Sequence, residues 1–321
     1  MNIAIYKPFK KLFFIDDRED NAAWSYEIVN MSQILIDHGH EVFIISESDL
    51  GSIPTQDLLT KYPHLHYYPN AIKDRAKFDR ILLWCGSFAL DKNGQNVINL
   101  LKEMTNRLDF ALTDAKLVPE DATLFSFFDT IYLQGTRMIY SELDHCGGLS
   151  ELLLYKFKYP RTLDEAITAK DIEFYFGGTE RDRLDDFIEY VWRPGHLITT
   201  KTKFFGIENR TPRDEFKKTL DRTKYSVVIT DIENNKNAFI SPRPYECYIH
   251  DIVAFFDYKY DPDEYYCKHD DYRRVHNYKE MRIKMNELNS NPELYRNILA
   301  MQRSYIREDF VNGEYIYGQI Q

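Results

Sequence analysis

The chain lacks the segments that would take a protein into or across a membrane. Its 321 residues contain no apolar run near the ~18 residues that a transmembrane helix needs. The stretch from Met1 to Tyr6 has neither the long apolar core nor the small-residue cleavage site of a signal peptide, and is typical of a first β-strand. We therefore expect an intracellular protein with no membrane partner.

Cysteine and net positive charge are also scarce. The cysteines are too far apart for a zinc ribbon or a redox pair, so we expect free, buried thiols at Cys85, Cys146, Cys247 and Cys267. A formal charge of −10 argues against a general nucleic-acid binder, because non-specific binding depends on neutralising phosphates. Two segments resemble metal-binding motifs, but we assign no metal site to either. His64 and His66 have no carboxylate or thiol at ligand spacing, and Asp261-Pro-Asp263 lies in a polar loop.

The sequence contains no G-x-G-x-x-G, so a dinucleotide fingerprint is absent from the first strand-turn-helix unit. Short apolar runs nevertheless alternate with helical periodicity, which predicts an α/β fold with parallel sheets. The length favours two domains of roughly 150 residues each. The first predicted series comprises strands at Ile3–Tyr6, Glu41–Ser46, Phe78–Cys85, Asp109–Thr113 and Thr130–Leu133, with helices at Trp24–His38 and Gln95–Arg107. The second comprises strands at Ile172–Phe176, near Lys203, at Ser226–Thr230 and at Ile252–Phe256, with helices at Arg183–Val191, Arg213–Leu220, from Pro244, Tyr278–Asn289 and Pro292–Glu308.

Two segments of the second series indicate a phosphate site. Phe176-Gly-Gly-Thr-Glu-Arg-Asp-Arg183 follows a predicted strand and leads into a helix, an arrangement that offers backbone N–H groups and cationic side chains to an anion. In Phe239-Ile-Ser-Pro-Arg-Pro-Tyr-Glu246, Arg243 and Glu246 are three residues apart at a helix start and so share one face. A carboxylate there can accept both hydroxyls of a ribose.

These motifs resemble those of the bacteriophage DNA β-glucosyltransferases, which transfer glucose from UDP-glucose to 5-hydroxymethylcytosine in DNA. The resemblance covers nearly the whole chain. It rests on the opening Met1-Asn-Ile-Ala-Ile, on Gly39-His-Glu-Val-Phe-Ile-Ile-Ser46, on Phe110-Ala-Leu-Thr-Asp-Ala-Lys-Leu-Val-Pro119 and on the two segments above. The glycine turn is shorter here than in the family, which leaves open how Arg181 and Arg183 divide the two phosphates.

The resemblance implies the site residues. Asp114 takes the role of the catalytic base, and Glu27 that of the family's active-site glutamate. The implied UDP-sugar contacts are Gly177, Gly178, Thr179, Arg181, Arg183, Arg243, Glu246 and, in a less specific turn, Gln134 and Gly135. The donor is a UDP-sugar, with glucose as the family default. A divalent cation at the diphosphate is compatible with this chemistry, but no dedicated metal residues are identified.

The implied architecture is GT-B, in which two Rossmann-like domains face each other across a cleft. Residues 1–165 would form the acceptor domain with the catalytic base, and residues 166–302 the nucleotide-sugar domain. Residues 303–321 would form a C-terminal helix or tail that returns to the first domain.

The implied function is inverting transfer of a sugar to 5-hydroxymethylcytosine or 5-hydroxymethyluracil in double-stranded phage DNA, by a monomer in the cytoplasm of the infected cell. The loop from Lys7 to Asp20, with Lys7, Lys10 and Lys11 among aromatic residues, is a candidate DNA contact. Three alternatives stay open, one of which is a non-hydrolysing epimerase-like enzyme of the same architecture, whose catalytic histidines and acids are not identified in this sequence. A GT-B enzyme acting on a small-molecule, lipid or polysaccharide acceptor suits the acidic charge, and a non-catalytic DNA-binding protein could retain a degenerate GT-B fold.

Overall fold

The computed structural model describes residues 1–7, 12–15, 23–46, 51–85, 92–112, 127–133, 146–147, 162–178, 183–196, 213–229, 243–260, 271–305 and 317–318. The chain divides into two compact units. Unit 1 comprises Met1–Lys156 with Asn312–Gln321, and unit 2 comprises Phe157–Val311. In the described ranges, no helix is both long and apolar enough to cross a membrane.

Unit 1 is built on a seven-stranded parallel sheet in the order β5-β3-β1-β6-β7-β8-β9. Its elements are β1 (Asn2–Tyr6), β2 (Leu12–Ile15), α1 (Ala23–Asp37), β3 (Glu41–Ile45), β4 (Gly51–Pro54), α2 (Gln56–Lys61), β5 (Leu65–Tyr68), β6 (Arg80–Cys85), α3 (Lys92–Met104), β7 (Leu108–Leu112), β8 (Thr130–Leu133) and β9 (Cys146–Gly147). The central strands are apolar on both faces, as a parallel sheet covered on both sides requires.

Local sequence signals explain the end of α1 and the buried face of α3. Gly39 ends α1 as predicted, with φ at +80° and its N–H donating to the Ile36 carbonyl at 2.9 Å. Ile98, Leu101 and Met104 of α3 recur at helical spacing and are buried in the core beneath β6 and β7. The first sequence series is therefore confirmed to within a few residues at its ends.

Unit 2 contains a four-stranded parallel sheet in the order β10-β11-β12-β13. Its elements are α4 (Leu163–Thr168), β10 (Ile172–Phe174), α5 (Leu184–Phe187) with a π-helical turn (Ile188–Trp192), α6 (Arg213–Asp221), β11 (Thr223–Val228), α7 (Arg243–Ile249), β12 (Val253–Asp257), a 3₁₀ turn (Asp271–Arg273), β13 (Arg274–Val275), α8 (Tyr278–Ser290) and α9 (Pro292–Ser304). Asn277 and Asn291 cap α8 and α9 through their side-chain oxygens, which explains why the second helix can follow the first at once.

Two expectations need correction. The segment from Lys7 to Asp20 is not a loop throughout, since Leu12–Ile15 forms β2 and pairs in parallel with β4. The strand predicted at Ser226 begins three residues earlier, at Thr223, because the polar Thr223 and Ser226 are both buried in the sheet. The strand predicted near Lys203 lies outside the described residues.

Candidate functional site

The glycine turn stands where β10 leaves the sheet of unit 2. Beyond Phe174 the chain stays extended through Tyr175, whose N–H donates to the Tyr225 carbonyl at 3.1 Å, and Phe176. Both aromatic side chains are 1% exposed, whereas Gly177 and Gly178 are half-buried. The carboxyl ends of parallel strands share one edge, and that edge is where open α/β sheets bind ligands.

Close packing requires both glycines. A Cβ atom on Gly177 would lie 2.5 Å from Cε2 of Phe216, and one on Gly178 would lie 2.9 Å from the ring of Phe176. Neither glycine has a left-handed φ. Steric room rather than backbone conformation therefore explains the Gly-Gly pair.

Arg183 returns to this edge just before α5. Its Nη1 donates to the Ile229 carbonyl, at the end of β11, over 2.8 Å. Its Cζ lies 5.6 Å from the centre of the Phe176 ring. Because α5 is only four residues long and carries Asp185 and Asp186 in its first turn, the helix dipole adds little attraction for an anion. The cationic side chain must supply it.

Arg243 and Glu246 occupy the first turn of α7 and form an ion pair, with Nη1 and Oε2 2.8 Å apart. The side chains are 22% and 16% exposed, so both are partly shielded from water. The i,i+3 spacing places them on one face, as the sequence predicts. Arg243 also reaches the turn, because its Cζ lies 6.0 Å from the centre of the Phe176 ring.

The arrangement brings two guanidinium groups, one carboxylate and a glycine turn to one edge of one sheet. Guanidinium groups suit phosphate oxygens through charge-assisted hydrogen bonds, and a carboxylate accepts only. Such a set can hold an anionic diphosphate beside a polyhydroxy group. Cys247, next along α7, takes no part as a nucleophile because burial raises the pKa of its thiol to about 12. Its predicted state as a free buried thiol is confirmed.

The other predicted site residues are placed as follows. Glu27 lies within α1, but its side chain is outside the described residues. Lys7 follows β1 and is only 6% exposed, so its side chain lies within unit 1 rather than on the surface. Outside the described residues lie Asp114, Thr179, Arg181, Gln134, Gly135, Lys10 and Lys11.

Sequence reasoning missed two components of this site. The sequence pattern identifies Phe176 only as the end of an apolar strand, although an aromatic residue near two arginines is also a signal for ring contacts. The Ile229 carbonyl carries no sequence signal, because its partner Arg183 is 46 residues away.

A second concave region of unit 2 has a volume of about 480 Å³ and lies beside the ends of β12 and β13. Two ion pairs lie in its lining. Lys259 bonds Asp186 at 2.6 Å, and Arg193 bonds Glu189 at 3.1 Å. Burial raises the pKa of Asp257, which accepts a hydrogen bond from the Tyr190 hydroxyl at 2.8 Å. This cavity is distinct from the arginine cluster, which consists of Arg183 and Arg243 at the glycine turn, because neither of these arginines lines it.

The surroundings of His64 and His66 on β5 differ from the sequence-based expectation. A carboxylate does lie beside them, since Glu41 on the neighbouring strand β3 bonds His64 Nδ1 at 2.8 Å and His66 Nε2 at 2.6 Å. These contacts are those of a surface ion-pair cluster. Across the part of the chain that the structure describes, no group of three or more His, Cys, Asp or Glu side chains is arranged to hold a metal ion.

Comparison with solved structures identifies the fold class as GT-B. No family model and no curated protein matches the sequence. T4 phage BGT in complex with its UDP-glucose substrate is 16% identical, with a TM-score of 0.61 over 98% of this chain and 95% of that one. An α-glucosyltransferase in complex with UDP and a 13-mer DNA is 12% identical, with a TM-score of 0.56 over 100% of each chain.

A more distant match is the sucrose-phosphate synthase of Thermosynechococcus elongatus, at 9% identity and a TM-score of 0.56 over 99% of this chain and 98% of that one. The predicted α/β GT-B class is confirmed. The resemblance to phage DNA β-glucosyltransferases, stated from the motifs, is matched at the level of the fold over almost the entire chain.

Proposed function

We propose that this protein is an inverting glycosyltransferase. It transfers a sugar, glucose by default, from a UDP-sugar to the hydroxymethyl group of 5-hydroxymethylcytosine or 5-hydroxymethyluracil in DNA. One observation carries the proposal: Arg183, Arg243 and Glu246 meet at the glycine turn, at the ligand-binding edge of a parallel sheet. The fold is shared with T4 phage BGT, solved with UDP-glucose, and with an α-glucosyltransferase solved with UDP and DNA.

Unit 2 supplies the donor half. Arg183 and Arg243, together with Arg181, bind the diphosphate and stabilise the charge that develops on it as it leaves. Glu246 accepts the ribose hydroxyls. The backbone of the Gly177 turn, with Thr179, lines the phosphates. Gln134 and Gly135, which belong to unit 1, are proposed as further donor contacts.

The acceptor half belongs to residues 1–165, with Asp114 as general base and Glu27 as a second active-site carboxylate. Asp114 takes the proton of the hydroxymethyl group as its oxygen attacks the anomeric carbon. The bond from that carbon to the diphosphate oxygen breaks, and UDP departs with the bonding electrons. One displacement inverts the anomeric carbon, so a UDP-α-sugar gives a β-linked product. Of the predicted C-terminal segment 303–321, residues 312–321 belong to the same compact unit as this half.

The DNA contact is proposed for the segment around β2. A base in duplex DNA must leave the stack to react, at a cost of a few kcal/mol. Phe14 is 62% exposed, which suits stacking against DNA, and Lys10 and Lys11 precede it. Lys7 is not proposed as a DNA contact, because it is only 6% exposed. The proposed enzyme is a monomer in the cytoplasm of the infected cell.

A divalent cation has no assigned step. T4 phage BGT has been solved with UDP and Mn²⁺. A divalent cation held by the diphosphate itself is compatible with the proposed chemistry, and none of the described residues is proposed as its ligand.

Release of UDP tests the proposal. UDP-glucose is incubated with duplexes that carry cytosine, 5-hydroxymethylcytosine or 5-hydroxymethyluracil, and the linkage of the product is read by NMR. We expect UDP release above background only with a hydroxymethylated duplex, and a β-linked product. Release with all duplexes alike, or an α-linkage, would contradict the acceptor or the mechanism.

Variants separate the two halves of the site. Asp114→Asn should abolish turnover and leave the Kd of UDP unchanged, because the base does not contact the nucleotide.

A Lys10→Glu, Lys11→Glu, Phe14→Ser triple variant should weaken DNA binding and again spare UDP binding. Equal loss of both affinities in the triple variant would rule out this segment as the DNA contact.

A further inference from the structure

Phe176 links the hydrophobic core of unit 2 to the arginine cluster. Its ring is 1% exposed and packs edge-on against Phe187, with ring centres 5.8 Å apart. It belongs to the same buried cluster as Phe255. The ring therefore cannot move without disturbing the core, which makes it a fixed support for whatever contacts it.

Arg183 and Arg243, the two arginines of the site that the structure describes, both contact the Phe176 ring. The Cζ atoms of Arg183 and Arg243 lie 5.6 Å and 6.0 Å from the centre of the ring. The arginines come from different elements, one before α5 and the other at the start of α7. Like charges at one edge repel each other, and the electron-rich face of an aromatic ring attracts each of them.

Each guanidinium group also has a second contact. Arg183 donates to the Ile229 carbonyl at 2.8 Å, and Arg243 to the Glu246 carboxylate at 2.8 Å. A ring contact and a hydrogen bond together define the plane of a guanidinium group, whose long side chain would otherwise sample many rotamers. Binding to arginines that are already ordered costs less entropy than binding to mobile ones.

Gly178 permits this arrangement. A Cβ atom at that position would lie 2.9 Å from two carbons of the Phe176 ring and 3.2 Å from Nη2 of Arg183. Its φ is not in the left-handed region, so alanine is compatible with the backbone there. The glycine therefore provides room for the ring and the guanidinium group.

We propose that Phe176 is a positioning residue, whose ring orders Arg183 and Arg243 for a nucleoside diphosphate before that ligand binds. The proposal rests on the proposed function, since it assigns the arginines to the diphosphate. Phe176 does not contact the ligand in this account. It acts through the two arginines.

Phe176→Leu tests the role, with Phe255→Leu as the matched control. Phe255 is fully buried in the same core, and its ring contacts Tyr225 rather than the site. Both substitutions remove a ring from the core and should lower the unfolding temperature. Calorimetry with UDP should show a Kd that is raised roughly tenfold in Phe176→Leu, since two cation–π contacts are lost, and raised less than about twofold in Phe255→Leu.

Phe176→Tyr keeps the ring face and should retain the Kd of the unmodified protein. If Phe176→Leu does not fold, Gly178→Ala gives the second test, because its methyl group would lie 2.9 Å from the Phe176 ring and 3.2 Å from Nη2 of Arg183, so that one of them must shift. It should also weaken UDP binding. Wild-type UDP affinity in Phe176→Leu or Gly178→Ala, or equal losses in the two leucine variants, would overturn the proposal. Failure of the unmodified protein to bind UDP would instead refute the proposed function.

Discussion

The two units bury an arginine against their parallel sheets in different ways. In unit 1, Arg80 at the start of β6 pairs with the carboxylate of Asp109 on β7 and donates to the Tyr132 hydroxyl. Asp109 is 0% exposed and also accepts from Arg107 Nε at 3.4 Å. Burial raises the pKa of Tyr132, so this hydroxyl stays protonated. The sheet of unit 1 therefore contains a buried ionic cluster.

In unit 2, aromatic rings surround the buried arginine. Arg273 is 0% exposed, and its Cζ lies 5.2 to 5.8 Å from the ring centres of Phe256, Tyr248 and Tyr305. Its Nη1 donates to the Tyr248 hydroxyl at 3.0 Å and to Gln302 Oε1 at 3.1 Å. These two oxygens are neutral.

The contrast explains the candidate site. A carboxylate partner compensates the charge of a guanidinium group, whereas an aromatic ring attracts the cation without adding an opposite formal charge. Unit 2 uses rings at Arg273 and again at Phe176 beneath Arg183. Arg243 combines both modes, since it contacts the ring and also pairs with Glu246.

The largest effect is expected from Asp109→Ala in unit 1. It leaves Arg80 buried without its carboxylate and should lower the free energy of unfolding by about 3–5 kcal/mol. Chemical denaturation measures the loss, and hydrogen exchange of the β6 and β7 amides locates it. The double variant Arg80→Met, Asp109→Leu should recover most of the stability. A single-variant loss below about 1 kcal/mol would show that the pair is not a buried ionic cluster.

A smaller loss, about 1–3 kcal/mol, is expected from Arg273→Met in unit 2. The Tyr248 hydroxyl and Gln302 Oε1 are neutral acceptors, and Gln302 Oε1 retains the N–H of Ala254 at 3.0 Å. Arg273→Lys should lose as much, because an ammonium group cannot stack as a planar cation. If Arg273→Met lowered the free energy of unfolding as much as Asp109→Ala does in the same denaturation experiment, the ionic and the aromatic surroundings would stabilise the two buried arginines equally.

The sequence predicts those parts of the fold that depend on local pattern. The helix at Ala23–Asp37 and the inner strands of both sheets follow from apolar periodicity and from stop signals such as Gly39, whereas β5, β9 and β13 are not predicted. It does not predict β4, which has the sequence Gly-Ser-Ile-Pro and forms only because β2 pairs with it. Pairing between distant segments supplies the energy that local propensity lacks.

The candidate site likewise has a part that local spacing predicts and a part that depends on contacts between distant segments. Arg243 and Glu246 are one helical turn apart, and their pairing is predicted from spacing alone. The contact of Arg183 with Ile229 and the shared ring of Phe176 depend on how β10, β11 and α7 pack together, so no local pattern indicates them. The roles of Asp114 and Glu27 stay predictions from family resemblance.

Acid should destabilise unit 2 through His196, which stacks on Phe174 with ring centres 4.0 Å apart. Burial lowers the pKa of His196 from 6.5 to about 4. The unfolded chain therefore binds this proton first as the pH falls below 6.5, and stability is lost progressively down to about pH 4. His196→Phe keeps a ring and should reduce the loss between pH 7 and 4 by about 1–2 kcal/mol, after allowance for partial exposure.

Thermal unfolding at a series of pH values measures this difference. The exposed His276 provides the control, since His276→Phe should leave the acid sensitivity of unit 2 unchanged. Identical acid sensitivity in His196→Phe and the unmodified protein would show that the buried ring does not oppose protonation.

The smallest effect is expected at Glu41 in unit 1, where charges meet at the surface. Hydrogen bonds from His66 and then His64 hold the pKa of the Glu41 carboxyl below its usual 4.5. Because the folded-state pKa is the lower one, the stabilisation is complete above about pH 4.5 and is lost as the pH falls through the folded value. Replacing both histidines with glutamine should return the pKa of Glu41 towards 4.5 in an NMR titration, yet lower the unfolding temperature at neutral pH by no more than about 2 °C. A larger fall would place this exposed cluster with the buried pair of Arg80 and Asp109, and would show that exposure does not separate strong from weak ionic contacts in unit 1.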